Sequence, residues 1–132
     1  MKIDDDFLDI IENFKNLVTQ SLLENNSFPH YKGIYLFYID KIPKFIVHIQ
    51  SETVFTENIT NTNAQIHALP TARATIHTDS LTLKKLLMNQ IRARIAFLTG
   101  KVKIKGDIFA FIKMVTDIKK TSTWNNYSKN KH

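Results

Sequence analysis

The sequence predicts an α+β fold, because helix-like and strand-like hydrophobic patterns occupy separate stretches of the chain. Apolar residues recur at three- and four-residue steps before residue 25, whereas several stretches after Gly33 are rich in β-branched and aromatic residues and have a period of two. The 132 residues suit one domain, and 43% hydrophobic with 23% charged residues is an ordinary globular composition. A disordered chain is therefore excluded, and residues 1–120 are predicted to fold as a single domain.

An amphipathic helix is predicted first, from about Asp4 to Glu24. Acids at positions 4, 5, 6 and 9 lie in its first turns, where the helix dipole favours negative charge. Its apolar stripe comprises Ile3, Phe7, Ile10, Ile11, Phe14, Leu17, Val18 and Leu22. The polar run that leads to Pro29 ends this helix.

Three strands are predicted next, over residues 33–39, 44–50 and 53–59, where the hydrophobic period changes to two. Because the connections between them are short, these strands should pair as an antiparallel meander. A polar loop is expected over residues 61–70 and a fourth strand over residues 71–77. The first half of the chain therefore predicts most of a sheet.

Two short helices separated by a kink are predicted after the fourth strand. Asp79 is a typical N-cap for a helix through residues 81–87, and Asn89 ends that helix because asparagine tolerates a left-handed backbone. A second short helix is expected over residues 91–98. Two short helices form a loose cover that can leave a cavity above the sheet.

A fifth strand and a last helix complete the predicted fold. Lysines alternate with aliphatic residues over residues 101–105, as in a strand that is buried on one face only. An apolar stripe predicts a helix over residues 108–118. Residues 121–132 are polar and have no apolar period, so they are predicted to form a flexible basic tail.

Several classes of chemistry lack the residues that they need. The chain has no cysteine, which excludes disulfides, thiolate nucleophiles and thiolate-bound metals. Its five histidines lack the short spacing of metal ligands, and its three glycines form no phosphate-binding loop. We therefore predict no catalytic residue, no metal, no cofactor and no enzymatic activity.

Positive charge is concentrated in the second half of the chain. Residues 1–70 carry five bases against nine acids, whereas residues 71–132 carry thirteen bases against three acids. This surplus suits a nucleic acid or an anionic membrane surface as partner, and it also suits a solvated face without a partner. No RNA-recognition signature accompanies the charge, so a nucleic-acid-binding module is the remote alternative.

The sequence also predicts where the protein is found. No apolar run approaches the roughly 18 residues that cross a bilayer. Three acids follow Ile3, at positions where a secretory signal would carry basic and then apolar residues. We therefore expect a cytoplasmic protein without a transmembrane segment.

Residues 96–107, AFLTGKVKIKGD, resemble the signature of the sterol-carrier-protein family of non-specific lipid-transfer domains. That signature runs Ala-Phe, two residues, Gly-Lys, alternating aliphatic residues and lysines, then Gly-Asp. Residues 75–79 and 83–88 resemble the strand and helix that precede it, so the resemblance covers about residues 71–119. Many members have Gly-Lys where this chain has Asn89-Gln90.

The resemblance implies a five-stranded, mainly antiparallel sheet with helices packed on one face around an apolar tunnel. In the family, this tunnel takes fatty acyl chains, phospholipids, sterols or other lipids, and its function needs no catalytic residue. The residues that the resemblance places along the tunnel are all apolar: Ile76, Leu86, Leu87, Ile91, Ile95, Leu98, Ile104, Phe111, Ile112 and Val115. We therefore expect a protein that binds a lipid and carries or presents it.

Partners other than the lipid follow from the same resemblance. One alternative is an accessory factor that presents lipid to an enzyme of isoprenoid-quinone synthesis or to another lipid-modifying enzyme. A lipid carrier must also meet a membrane, where lysines favour anionic headgroups and tryptophan favours the interface. The predicted membrane contacts are Lys101, Lys103, Lys105 and Trp124.

Overall fold

The computed structural model describes the backbone of residues 2–25 and 28–130, and the side chains of residues 9–25 and 28–129. The elements are α1 (Lys2–Glu24), β1 (Gly33–Ile39), β2 (Ile42–Ile49), β3 (Val54–Asn58), α2 (Thr62–Ala68), β4 (Ala74–Thr78), α3 (Ser80–Leu87), α4 (Ala93–Leu98), β5 (Lys103–Gly106), α5 (Ile108–Ile118) and α6 (Ser122–Asn130). A 3₁₀ turn, Phe28–Tyr31, follows α1. The side chains of Ile3 and Phe7, predicted for the stripe of α1, lie outside the described residues. No helix in these ranges is long and apolar enough to cross a membrane.

The five strands form one mixed sheet in the order β3-β2-β1-β4-β5. Strands β1 and β2, β2 and β3, and β4 and β5 pair antiparallel, whereas the central pair of β1 and β4 is parallel. The parallel pair arises because the chain crosses over through α2 before it enters β4. The prediction of a five-stranded, mainly antiparallel sheet is confirmed.

The hairpin between β1 and β2 is tighter than predicted. Asp40 and Lys41 both have positive φ values, 53° and 71°, and form a two-residue turn whose twist suits the flanking strands. Strand β2 therefore begins two residues earlier than predicted. A register shift between Phe37 and Tyr38 places Pro43 opposite Tyr38 at the end of the hairpin.

Aromatic side chains join the helices to one face of the sheet. The centroid of the Phe14 ring of α1 lies 5.7 Å from that of Phe37 and 6.2 Å from that of Phe45. Phe111 of α5 meets Phe37 edge to face at 5.8 Å. All four rings are buried, so they contribute strongly to the hydrophobic stabilisation of the fold.

The predicted kink between α3 and α4 is confirmed. The Asp79 carboxylate accepts a hydrogen bond of 2.7 Å from the backbone N–H of Thr82 and caps α3. Asn89 has a φ of 55°, a left-handed conformation that asparagine tolerates better than most residues. Helix α4 begins at Ala93, two residues later than predicted.

The turn from β5 into α5 requires its glycine. Gly106 has a φ of 101°, and a Cβ atom there would lie 2.5 Å from the carbonyl oxygen of Arg73. Asp107 caps α5 by accepting a hydrogen bond of 3.0 Å from the backbone N–H of Ala110. Its other carboxylate oxygen pairs with Nε of Arg73 at 3.1 Å, which ties α5 to the residue before β4.

Helix α2 replaces the polar loop predicted over residues 61–70. The side-chain oxygen of Gln65 accepts hydrogen bonds of 2.6 Å from the backbone N–H groups of Thr60 and Asn61. Asn61 in turn caps the helix by accepting from Ala64. The prediction of a loop is wrong because these local polar contacts stabilise a helix that has no apolar stripe.

Helix α6 lies in the segment predicted to be a flexible basic tail. That prediction is wrong over residues 122–130, because Trp124 is fully buried there and its ring contacts Phe14 of α1. Lys131 and His132 lie outside the described residues.

Candidate functional site

A small apolar cavity lies between the sheet and helices α3, α4 and α5. Its volume is about 10 Å³, room for about one water molecule, so it is much smaller than the tunnel that the family resemblance implies. Its lining residues are Phe14, Phe37, Ile76, Thr78, Leu83, Leu86, Ala93, Val102, Phe111 and Val115. With Thr78 as the one polar residue among them, the cavity suits an apolar occupant.

The residues predicted to line a tunnel have different positions in the structure. Four of them border the cavity: Ile76, Leu86, Phe111 and Val115. Leu87 and Ile104 are buried in the surrounding core. Ile91 and Ile112 are partly buried and pack against that core.

Two of the predicted lining residues, Ile95 and Leu98, are exposed. Their exposed fractions are 45% and 69%, so their predicted place inside the protein is wrong. Helix α4 instead turns Ala93 and Ala96 inward. Because the six residues ARIAFL carry apolar side chains on opposite faces, the hydrophobic period does not reveal which face is buried.

A second and larger space, a cleft of about 670 Å³, opens between α4 and α5. Its lining residues are Arg92, Ala93, Arg94, Phe109, Ile112, Lys113, Thr116, Lys119 and Lys120. Five of these nine are cationic and none is acidic. We call this space the α4–α5 cleft.

The α4–α5 cleft was not predicted, although the sequence contains a signal for it. The residues of α5 that line it are three or four positions apart from one another around one helical face: Phe109, Ile112, Lys113 and Thr116. This face mixes apolar and cationic residues and differs from the apolar stripe that predicts the helix.

Lys119 is half-buried, in contrast to the other four cations of the cleft, which are exposed. Its Nζ donates a hydrogen bond of 2.8 Å to the carbonyl oxygen of Ile91. Burial, assisted by the nearby positive charge of Arg92, lowers the pKa of Lys119 to about 8. This lysine thereby ties α5 to the segment before α4, in a place where its charge is poorly solvated.

The residues predicted to contact a membrane occupy different environments. Trp124 is fully buried, so the prediction that its ring contacts a membrane is wrong. Lys103 and Lys105 are exposed on the sheet face opposite the helices. In the register of the sheet, Lys103 of β5 lies opposite His77 of β4. Burial, together with the charges of Lys105 and Lys103, lowers the pKa of His77. Lys101 is exposed in the bend before β5.

Two buried tyrosines form a hydrogen-bond network away from the cavity. The Tyr31 hydroxyl donates to the Asp117 carboxylate, and the Tyr35 hydroxyl donates to the carbonyl oxygen of Tyr31 at 2.7 Å. Burial raises the pKa of both hydroxyls, that of Tyr35 to about 12. They therefore stay protonated near neutral pH and hold the 3₁₀ turn against α5. Among the described side chains, no group of three His, Asp or Glu residues is placed to hold a metal ion.

Comparison with families of known proteins identifies one match. The model described as the SCP-2 sterol transfer family matches residues 14–119, which include the sheet, the cavity and nearly all of the α4–α5 cleft. None of the curated proteins compared with the chain matches it.

Several solved structures share the fold. The sterol carrier protein domain 2 of Helicoverpa armigera has a TM-score of 0.61 and 13% identity, and the alignment covers 92% of this chain and 89% of that one. Palmitated SCP2L2 from Aedes aegypti has a TM-score of 0.56 and 17% identity, with 83% and 90% covered. A protein described as UbiJ-SCP2 ubiquinone synthesis protein has a TM-score of 0.56 and 13% identity, with 81% and 86% covered. At these identities the similarities establish the fold alone.

Proposed function

Because the chain belongs to the SCP-2 sterol transfer family, we propose that it binds a lipid between its sheet and helices α3, α4 and α5 and carries or presents that lipid. The observation that carries the proposal is the cavity in this place, whose lining is apolar except for Thr78. A fatty acyl, sterol-like or isoprenoid chain has the chemistry that such a lining accepts. The similarity to a palmitated protein supports a fatty acyl chain as one candidate.

Helix α4 is the part of the cavity wall that can move outward at least cost. Its buried side chains are Ala93 and Ala96, whose methyl groups lose little hydrophobic stabilisation when they become exposed, and Phe97 is only partly buried against the core. Asn89 and Gly100, which flank the helix, both have a positive φ. Outward movement of α4 would enlarge the closed cavity enough for an alkyl chain to enter.

Burial of an alkyl chain supplies enough free energy for reversible binding. Each buried methylene contributes about 0.8 kcal/mol, so ten of them contribute about 8 kcal/mol before the costs of association and opening. About 8 kcal/mol corresponds to micromolar affinity, so after those costs ten buried methylenes leave binding weaker than micromolar, and a longer chain binds more tightly. A carrier with weak affinity releases its lipid readily.

Native mass spectrometry of the purified full chain tests this proposal. We expect an adduct of lipid mass that organic extraction removes and that incubation with a fatty acid, a phospholipid or an isoprenoid quinone restores. A full chain that holds no lipid after purification and takes up none of the three would contradict the proposal.

A second candidate function is supply of a lipid to an enzyme that modifies it. The similarity to a protein described as a ubiquinone synthesis protein favours an isoprenoid precursor of a quinone as that lipid. A pull-down with the full chain should then retain a lipid-modifying enzyme, and the complex should survive washing. Lipid binding without any such association would leave free carriage as the better account.

We also propose that Lys101, Lys103 and Lys105 contribute to contact with an anionic membrane surface. Each exposed lysine near such a surface is worth about 1 kcal/mol. Co-sedimentation of the full chain with anionic vesicles should weaken as salt is raised, and the triple Lys→Gln variant should bind less. Equal binding to neutral and anionic vesicles would contradict this contact.

A further inference from the structure

The α4–α5 cleft concentrates positive charge that has no carboxylate partner among the described side chains. Three ion pairs of the described side chains lie outside the cleft: Lys15–Glu12, His48–Glu57 and Arg73–Asp107. Cations held around one space repel one another, and an anion placed between them relieves that repulsion. The cleft therefore favours a ligand with negative charge.

The environment of the Lys119 Nζ atom also favours a ligand with negative charge. Burial and the charge of Arg92 disfavour its ammonium form, which a bound anion would stabilise. An ammonium group has three hydrogen-bond donors, and one of them is used on the carbonyl oxygen of Ile91. The other two remain for an acceptor in the cleft.

Apolar side chains stand beside these cations. Phe109 is 88% exposed, an unfavourable position for a phenylalanine without a partner, and Ile112 is half-buried next to it on the cleft face of α5. Ala93 borders both the cleft and the interior cavity, so the two spaces meet at this residue. A ligand with an anionic end and an apolar chain matches both halves of the cleft.

We propose that the α4–α5 cleft binds the anionic head of a single-chain amphiphile, a carboxylate or a phosphate monoester. Arg92, Arg94 and Lys119 contact the head, and the alkyl chain follows Phe109 past Ala93 towards the interior cavity. This proposal rests on the proposed function, since it gives the lipid a head-group site and a route of entry. The proposed ligand is therefore restricted to lipids that have one alkyl chain and an anionic head.

Isothermal titration calorimetry of the full chain tests the proposal. The four probes are inorganic phosphate and, below their micellar concentrations, dodecanoate, dodecyl phosphate and dodecanol. The Arg92→Gln/Arg94→Gln variant removes two charges from the cleft. Its matched control, Lys84→Gln/Lys129→Gln, removes two exposed charges outside the cleft. Circular dichroism of both variants confirms that they are folded.

We expect both anionic amphiphiles to bind the wild type more tightly than dodecanol does. The cleft variant should lose about tenfold or more of its affinity for them, because charge-assisted hydrogen bonds are lost, and keep its affinity for dodecanol. The control variant should bind all probes as the wild type does.

The outcomes separate the two proposals. Equal affinity for dodecanol and dodecanoate, unchanged in the cleft variant, would overturn the head-group site and leave lipid binding intact. Inorganic phosphate that binds as tightly as dodecyl phosphate, without any binding of dodecanol, would overturn both proposals and indicate a free anion as ligand. Failure of all four probes to bind would also overturn both.

Discussion

Trp124 and Phe14 meet edge to face, with 6.2 Å between their ring centroids and 88° between their ring planes. Both rings are buried, and the pair joins α6 to α1. Phe14 in turn contacts the sheet through Phe37 and Phe45. The last described helix is therefore part of the core beside the apolar cavity.

Replacement of Trp124 measures how much α6 contributes to the core. Trp124→Ala should lower the free energy of unfolding by about 3–5 kcal/mol, measured by urea denaturation. Trp124→Phe should cost much less, because the indole Nε1 has no hydrogen-bond partner among the described residues. A loss below about 1 kcal/mol in the alanine variant, typical of exposed positions, would contradict the packing of α6.

Replacement of Phe111 tests whether the interior is closed. Phe111 is 4% exposed and borders a cavity of about 10 Å³, so Phe111→Ala should lower the free energy of unfolding by about 3–5 kcal/mol. Phe109→Ala is a control on the same helix and should change it by less than about 0.5 kcal/mol, since that ring is exposed. Similar small losses in both variants would indicate an open tunnel instead.

Asp107 should make the stability of the protein depend on pH in acid. The backbone hydrogen bond from Ala110 and the guanidinium of Arg73 lower the pKa of this carboxyl in the folded chain. Its contribution to stability is therefore present above about pH 4, its unfolded pKa, and is lost as the pH falls through the folded pKa. As the pH falls through this range, the free energy of unfolding should decrease less in Asp107→Asn than in the wild type, measured by urea denaturation at each pH.

The alanine variant at the same position separates the cap from the charge. Asp107→Ala should lower the free energy of unfolding by about 1 kcal/mol at pH 7, whereas asparagine still caps α5 and should cost less. Identical acid profiles for wild type and Asp107→Asn would show that neither the hydrogen bond from Ala110 nor Arg73 stabilises the charged carboxylate.

Lys119 should make the stability of the protein rise with pH a second time, in alkali. Its pKa is lowered to about 8 in the folded chain, against an ordinary 10.5. Between these values the unfolded chain binds more protons, so its contribution to the free energy of unfolding rises with pH, by at most about 1.4 kcal/mol per pH unit. The charges that share the cleft with it come from both helices and their flanks: Arg92, Arg94, Lys113 and Lys120.

Lys119→Met should abolish this rise, measured by urea denaturation between about pH 8 and pH 10, the window set by the two pKa values. The exposed Lys84 lies outside the cleft, so Lys84→Met should keep the rise. Parallel curves for the wild type and both variants would show that Lys119 is not desolvated in the cleft.

Elements with a strong hydrophobic period could be predicted from the sequence. Helix α1, the strands and α5 were all predicted within about three residues of their ends, which is the usual precision at element boundaries. Helices α2 and α6 were not predicted, for different physical reasons. Gln65 holds α2 together by local polar contacts, whereas α6 packs mainly through Trp124 among asparagines and serine.

The candidate site could be predicted only in part. Ile76, Leu86, Phe111 and Val115, which the family resemblance places along a tunnel, border the cavity, and their contact with a lipid stays a prediction. The orientation of α4 could not be predicted, since tertiary packing selects its two alanines as the inward residues. The α4–α5 cleft joins residues from two helices, and their approach is a long-range feature that no single stretch of sequence reveals.

Methyl NMR of the full chain during titration with dodecanoate tests the central claim most directly, because it locates the alkyl chain. The account predicts chemical-shift changes at the cavity methyls of Ile76, Leu86 and Val115. Ile46 is buried but does not border the cavity, so the chemical shifts of its methyl groups should stay unchanged. Changes confined to the exposed Leu98, or saturating dodecanoate without any change at the cavity methyls, would contradict it.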